Sequence, residues 1–434
     1  MSFQKLVLQS LMGKASLFIS LIFVNIIFSR FLGAGAAGKV FYLTGILSVV
    51  VLTASFSMES AMGYFVANGT IPRNQLAWFS VGYTIIITIL LYLIFHFFHP
   101  WKRPVFSENR LSFFSVVYVA GLILTNFFSG LFYAQKNFYF PNVILTIVNI
   151  ALMILLATLW VNGYQVYNII GAYFIFFLLQ GIVLAACFII KYKSWHELKL
   201  PTTLAYKKLF NYSFIAWIAN FVFLMLYRVD YWFVYRSPVC NAHDLGNYMQ
   251  AAKLGQMLLF LPQIFATVLF PQTAAKTTAD RELHDGLEVI SRLFLQLFVV
   301  LIFLVAIGGR LVFPVLFGPT FNSMHLPFLI LLPGIFCLSM LGIFSAYFGG
   351  KGKVMINLRG AAIALVFVTI ADGILVDQYG MIAAAIVSTL GYALNLTYSL
   401  YIFHKHYGLN IRSFFSFRKS DYDWVLMMFQ KPNN

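Results

Sequence analysis

The chain has 434 residues, of which 61% are hydrophobic and only 10% charged, with a mean hydropathy of +0.86 and a formal net charge of +16. Soluble domains carry about 25% charged residues, so an ordinary soluble fold is excluded. The composition describes an all-α polytopic membrane protein, because a hydrocarbon core about 30 Å thick takes about 20 apolar residues per helix and forbids unpaired backbone.

In chain order the apolar runs predict about twelve spans: 8–32, 40–67, 77–99, 112–135, 140–162, 167–191, 211–235, 246–271, 289–309, 322–348, 354–376 and 381–404. The first resembles a signal peptide, with Lys5 and Lys14, an apolar stretch and Ala34-Gly35-Ala36 as a cleavage site. Cleavage is not expected, since Arg30 interrupts just before that site and the run is long enough to span. The second span carries Glu59 among Ser55, Ser57, Met58 and Ser60, an unusually polar face for a membrane helix.

The longest internal hydrophilic break, Lys191 to Tyr212, reads KYKSWHELKLPTTLAYKKLFNY and parts six spans from six. It predicts an N-terminal lobe over 1–192, a cytoplasmic linker over 193–212 that is either an interfacial helix or a solvated connection, a C-terminal lobe over 213–404 and a basic cytoplasmic tail over 405–434. The halves resemble each other. Phe28-Ser29-Arg30 before GAGAAGKVFY matches Val234-Tyr235-Arg236 before Gly246-Asn247-Tyr248, and FSGLFY before Lys136 matches FSAYF before Lys351. A repeat of six spans restores orientation, so two lobes related by a pseudo-twofold axis along the membrane normal are expected.

The seventh span places Arg228 and Asp230 two residues apart inside an apolar run, and the eighth holds Lys253. Each ionisable residue at bilayer depth costs about 2.5–3.5 kcal/mol on insertion scales, so such residues face a cavity, a partner or a substrate. Arg30, Arg228 and Lys253 form the candidate cationic cavity for a phosphate-bearing substrate. The plainer alternative has Arg30 snorkelling to the interface and Arg228 pairing locally with Asp230. Glu59, Asp230 and Asp372 are the candidates for ion coupling or charge balance, with Asp372 of the eleventh span expected near an outer interface. Pro262 and Pro271 flank a helix, Pro314 and Pro319 read as end punctuation, and Pro327 and Pro333 are expected to interrupt the tenth span.

The basic excess sorts by side of the membrane. With the N-terminus inside, 20 of the 29 Lys and Arg fall on cytoplasmic segments, seven on the opposite side and two, Arg228 and Lys253, within spans. This predicts a multi-pass membrane protein with both termini cytoplasmic, which the family resemblance below would place in a bacterial inner membrane, and membrane lipids rather than nucleic acid as the partner of its charge. Cys187, Cys240 and Cys337 are odd in number and scattered, which argues against a disulfide framework. His196-Glu197 lacks the second histidine of a zinc-protease helix, and Gly349-Gly350-Lys351-Gly352-Lys353 lacks the Ser/Thr of a P-loop. No cofactor and no metal are expected. The longest outer loop, His99 to Ser112, offers only Glu108 as a catalytic acid, so an enzyme is disfavoured.

The passage DYWFVYRSPVCNAHDLGNYMQAAKLGQMLLFLPQIFATVLFP, with Asp230, Gly246, Tyr248, Ala251 and the ending Leu269-Phe270-Pro271, resembles the seventh-to-eighth helix region of Wzx-type polysaccharide repeat-unit flippases of the multidrug/oligosaccharidyl-lipid/polysaccharide (MOP) exporter superfamily. Leu316-Phe317-Gly318 and the opening SRFLGAGAAGKVFYL, with Arg30, Gly33 and Gly38, are similar to two further passages of that family. The resemblance covers nearly the whole chain through helix punctuation rather than catalytic signatures. It implies a MATE-like fold and alternating access. The implied partner is an undecaprenyl-diphosphate-linked oligosaccharide, moved from the cytoplasmic to the periplasmic leaflet during O-antigen or other polysaccharide assembly alongside other membrane proteins of that assembly. Coupling to a proton or a sodium gradient stays open. The alternatives are a peptidoglycan lipid-precursor flippase, a MATE-like exporter and, in another class, a polymerase or ligase of glycan assembly.

Overall fold

A computed structural model of the chain describes residues 3–67, 69–98, 110–196, 201–275, 280–407, 411–416 and 421. Its helices are α1 (Phe3–Ser55), α2 (Met58–Ala67), α3 (Arg73–Phe98), α4 (Arg110–Ala134), α5 (Tyr139–Val161), α6 (Val166–Lys191), α7 (Thr203–Leu226), α8 (Val229–Arg236), α9 (Ala242–Leu258), α10 (Phe260–Ala275), α11 (Asp280–Phe317), α12 (His325–Gly350) and α13 (Val354–Tyr407). Short 3-10 turns cover Ser194–His196, Pro319–Met324 and Ile411–Phe415, and no strand occurs among the described residues. The fold is the expected all-α polytopic one.

Nine stretches of the described residues are long and apolar enough to cross a membrane. Two of them are hairpins. In α1 the helix breaks at Gly33 (φ 69°), and the rings of Phe28 and Phe41 lie 6.2 Å apart, although thirteen residues of straight helix cover about 20 Å. In α13 it breaks at Gly380 (φ 61°), and Gly360 packs on Asn395 while Gly391 packs on Val368, so two antiparallel arms meet. Only glycine takes such positive φ without strain, which is why these reversals need no loop. The predicted eighth span is divided into α9 and α10 at Leu259, each too short to cross alone. These three departures account for twelve predicted spans against nine uninterrupted ones.

The chain divides into two compact units, one comprising Met1–Leu224 with Leu316–Gly318, the other Met225–Val315 with Pro319–Asn434. The first unit is built on aromatic packing, with Phe128, Phe132 and Phe188 buried and the last two edge-to-face at 4.9 Å. Such pairs add about 1 kcal/mol each beyond area burial. Gly121 of α4 and Gly181 of α6 let those helices touch backbone to backbone, a small-residue crossing suited to lipid.

The link from α1 to α2 is unusual. Phe56 and Ser57 both adopt left-handed φ, 53° and 52°, a conformation that costs non-glycine residues about 1–2 kcal/mol each. Neighbours hold it: Tyr83 OH donates to Ala54 O (2.8 Å), Asn220 Nδ2 donates to Ser57 Oγ (3.1 Å), and Phe56 stacks on Trp217 of α7 at 5.6 Å.

In the second unit, α9 begins with a capping box in which Asn241 and Asp244 bond each other's backbone N–H groups. The prolines of α12 do not interrupt it, contrary to expectation. Pro327 lies in the first turn, whose N–H groups have no helical partner, and Pro333 lies within the continuous helix, where Thr389 Oγ1 donates to the nearby Ile330 O (2.8 Å). The segment after α13 folds back on α11. Arg292 grips Asp421 with Nε and Nη2, both at 2.7 Å, and sends Nη1 to Ser413 O (2.9 Å) and Glu288 Oε2 (3.2 Å). Arg292 and Asp421 are 3% and 1% exposed. Phe414 is buried against Phe344 and Phe403.

Candidate functional site: a buried carboxylate pair in the second unit

The break between α7 and α8 creates the site. The chain turns at Tyr227 and Arg228, so α8 starts again inside the apolar layer and its first-turn Asp230 meets α9 and α13. Asp230 is 2% exposed. Its Oδ1 accepts from the Tyr231 backbone N–H (2.9 Å), and its Oδ2 accepts from Tyr248 OH and from Ser388 Oγ (3.1 Å). Ser237 Oγ donates to Val376 O (2.9 Å) and ties the far end of α8 to the first arm of α13.

Asp372, on that arm, is fully buried within the protein. Both its carboxylate oxygens lack a hydrogen-bond partner. It lies within electrostatic reach of Asp230 and of Tyr248. An unsolvated carboxylate is too costly to remain ionised and alone, and a second carboxylate beside it raises that cost.

Arg228 lies within electrostatic reach of Asp230. Arg228 Nη1 donates to Tyr231 OH (3.1 Å), which also accepts from Gln256 Nε2 (3.3 Å), and its guanidinium lies 5.2 Å from the Tyr231 ring centre. Lys253 is partly buried and within electrostatic reach of Arg228. No salt bridge joins Arg228 to Asp230 among the described residues, so the local pair is not formed.

The remaining two predicted residues belong to the first unit. Arg30 is exposed at the end of the first arm of α1, and Glu59 is half-buried in the first turn of α2, its backbone against Gly130, with Oε2 lacking a partner. Sequence reasoning missed Tyr248 and Ser388 as partners of Asp230, and Tyr231 and Gln256 as the hydroxyl and amide around Arg228. No group of three or more His, Cys, Asp or Glu able to hold a metal occurs among the described residues. Glu108 and Glu197 lie outside the described residues.

The comparisons with known structures bear on the fold. No family model matches the chain, and no curated protein matches it. Among solved structures, it is similar to the lipid II flippase MurJ in an inward closed conformation, at 15% identity, with 98% of this chain and 93% of that chain covered and a TM-score of 0.68. It is similar to an inward-facing multidrug-resistance MATE transporter of the MOP superfamily, at 12% identity, with 92% and 98% covered and a TM-score of 0.66. A MOP superfamily transporter from Pyrococcus furiosus, described by the reverse polarity of its binding pocket, is similar at 12% identity, with 92% and 94% covered and a TM-score of 0.63. The protein has the fold of MOP-superfamily transporters and flippases.

Proposed function

We propose that the chain is a secondary flippase of a bacterial inner membrane, both termini cytoplasmic, that moves polyprenyl-diphosphate-linked oligosaccharide units from the cytoplasmic to the periplasmic leaflet by alternating access. The observation that carries the reading is Asp372, buried with both carboxylate oxygens unpartnered beside Asp230, while Arg228 and Lys253 stand in the same unit. A cation entering the carboxylate pair supplies the driving charge. Arg228 and Lys253 supply donors for a diphosphate, whose passage through hydrocarbon without them would be prohibitive. The likeness to MurJ supports a second reading, export of a peptidoglycan lipid precursor, by the same machinery.

The test is translocation in proteoliposomes holding either a lipid-linked oligosaccharide or lipid II, with sodium or proton gradients imposed separately. The proposal expects gradient-dependent flipping of the oligosaccharide carrier. Flipping of lipid II alone selects the second reading, and flipping of neither under any gradient sinks both.

A further inference from the structure

One end of the first unit gathers cations that the site above does not use. Arg73, the first residue of α3, donates Nη1 to Gln135 Oε1 (3.0 Å) at the end of α4, and its guanidinium lies 4.7 Å over the Tyr192 ring at the end of α6. Lys191 Nζ lies 3.9 Å over the ring of Phe140, at the start of α5. The linker folds its Ser194–His196 turn onto α3. Ser194 Oγ donates to Asn74 Oδ1 (2.9 Å), and Trp78 Nε1 donates to Ser194 O (2.9 Å). Tyr206 packs edge-on against Phe79 at 5.4 Å, which brings the first turn of α7, with Lys207 and Lys208, alongside α3.

Lys136, Lys191, Lys193, Lys207 and Lys208 are exposed there, interleaved with Tyr139 (45%) and Trp195 (44%). Lys136 and Lys193 each stand just past a helix end in left-handed backbone, φ 57° and 51°, where glycine is the low-energy choice. The only carboxylate of this unit among the described residues is Glu59, in the first turn of α2, far from Ala67, where α2 leads toward Arg73. Among the described residues no carboxylate pairs with these lysines.

We propose that this rim is a seat for the headgroups of anionic phospholipids, with Arg73 fixing the helix ends and the lysines engaging the phosphates. Basic side chains beside amphipathic rings match the charge and depth of an anionic leaflet, and each basic residue at such a surface strengthens attachment by about fivefold.

The full chain is to be purified in a neutral detergent and titrated with phosphatidylglycerol or phosphatidylcholine, with lipid retention read by native mass spectrometry and Tm in parallel. The wild type is expected to retain phosphatidylglycerol selectively and to gain Tm from it, both effects fading in 0.5 M salt (about a 4 Å Debye length). A Lys136→Gln/Lys191→Gln/Lys193→Gln variant, with unchanged Tm in phosphatidylcholine, is expected to bind phosphatidylglycerol about a hundredfold more weakly. An Arg236→Gln/Arg310→Gln variant, neutralised at exposed cations of the second unit, is expected to keep the effect. Retention of selectivity in the triple variant, equal loss in the double variant, or wild-type binding indifferent to salt overturns the assignment.

Discussion

Arg228 and Asp230, two residues apart at the start of α8, turn away from each other: the guanidinium goes to Tyr231 OH at 3.1 Å, and the carboxylate to Tyr248 and Ser388. Residues at i and i+2 do not share a helix face, so the proximity that suggests a pair in the sequence prevents one in the fold.

Replacing Asp372 with Asn should remove an uncompensated buried charge. Thermal stability is expected to hold or rise, while gradient-driven translocation falls by about tenfold or more, a loss of at least about 1.4 kcal/mol of coupling. Parallel Tm and proteoliposome measurements check this, and a variant that still responds to the gradient removes Asp372 from the mechanism.

Tyr248→Phe deletes a hydrogen bond to a carboxylate, worth about 1.5–3 kcal/mol. Ser388→Ala deletes the second donor to the same oxygen. Both variants are expected to unfold earlier in denaturant. The double variant should lose less than the sum, because both hydroxyls bond the same carboxylate oxygen and their contributions are coupled. Strict additivity would mean that the two hydroxyls do not act on one charge.

Arg228→Ala and Lys253→Ala are each expected to abolish glycan export while lipid-linked units accumulate on the inner side. Arg228→Lys keeps the charge but loses the planar fork that reaches Tyr231, and should restore export only in part. Chromatography of extracted lipid-linked sugars reads both outcomes; normal export in the two alanine variants would exclude these side chains from substrate handling.

Asp421→Asn removes the bidentate partner of the buried Arg292 guanidinium and leaves it Glu288 alone, and is expected to lower stability measurably. Joint replacement, Arg292→Met with Asp421→Leu, should recover most of that loss. Chemical denaturation of the two variants decides, and equal destabilisation would show that the cluster matters for more than its charge.

The sequence carried the spans because hydropathy and length decide them, and it carried the two hairpin apices because Gly33 and Gly380 are visible. The break at Phe56 and Ser57 has no such signal. Neither residue favours a left-handed backbone, and the groups that hold it there, Tyr83, Trp217 and Asn220, are distant in the chain. Counting along the predicted span places Asp372 near an outer interface but says nothing of its burial. Its burial depends on α8 and α9, whose approach no local pattern encodes. The same distance hides Ser388, an ordinary serine in an apolar run until α13 folds back on itself.

The clasp between Arg292 and Asp421 makes the far end of the polypeptide part of its interior. A stop codon or frameshift between residues 293 and 421 therefore does more than trim a loose extremity, for it takes the bidentate partner from a guanidinium already in place. Reporter fusions and affinity tags are best appended downstream of that aspartate, with a spacer that leaves it seated.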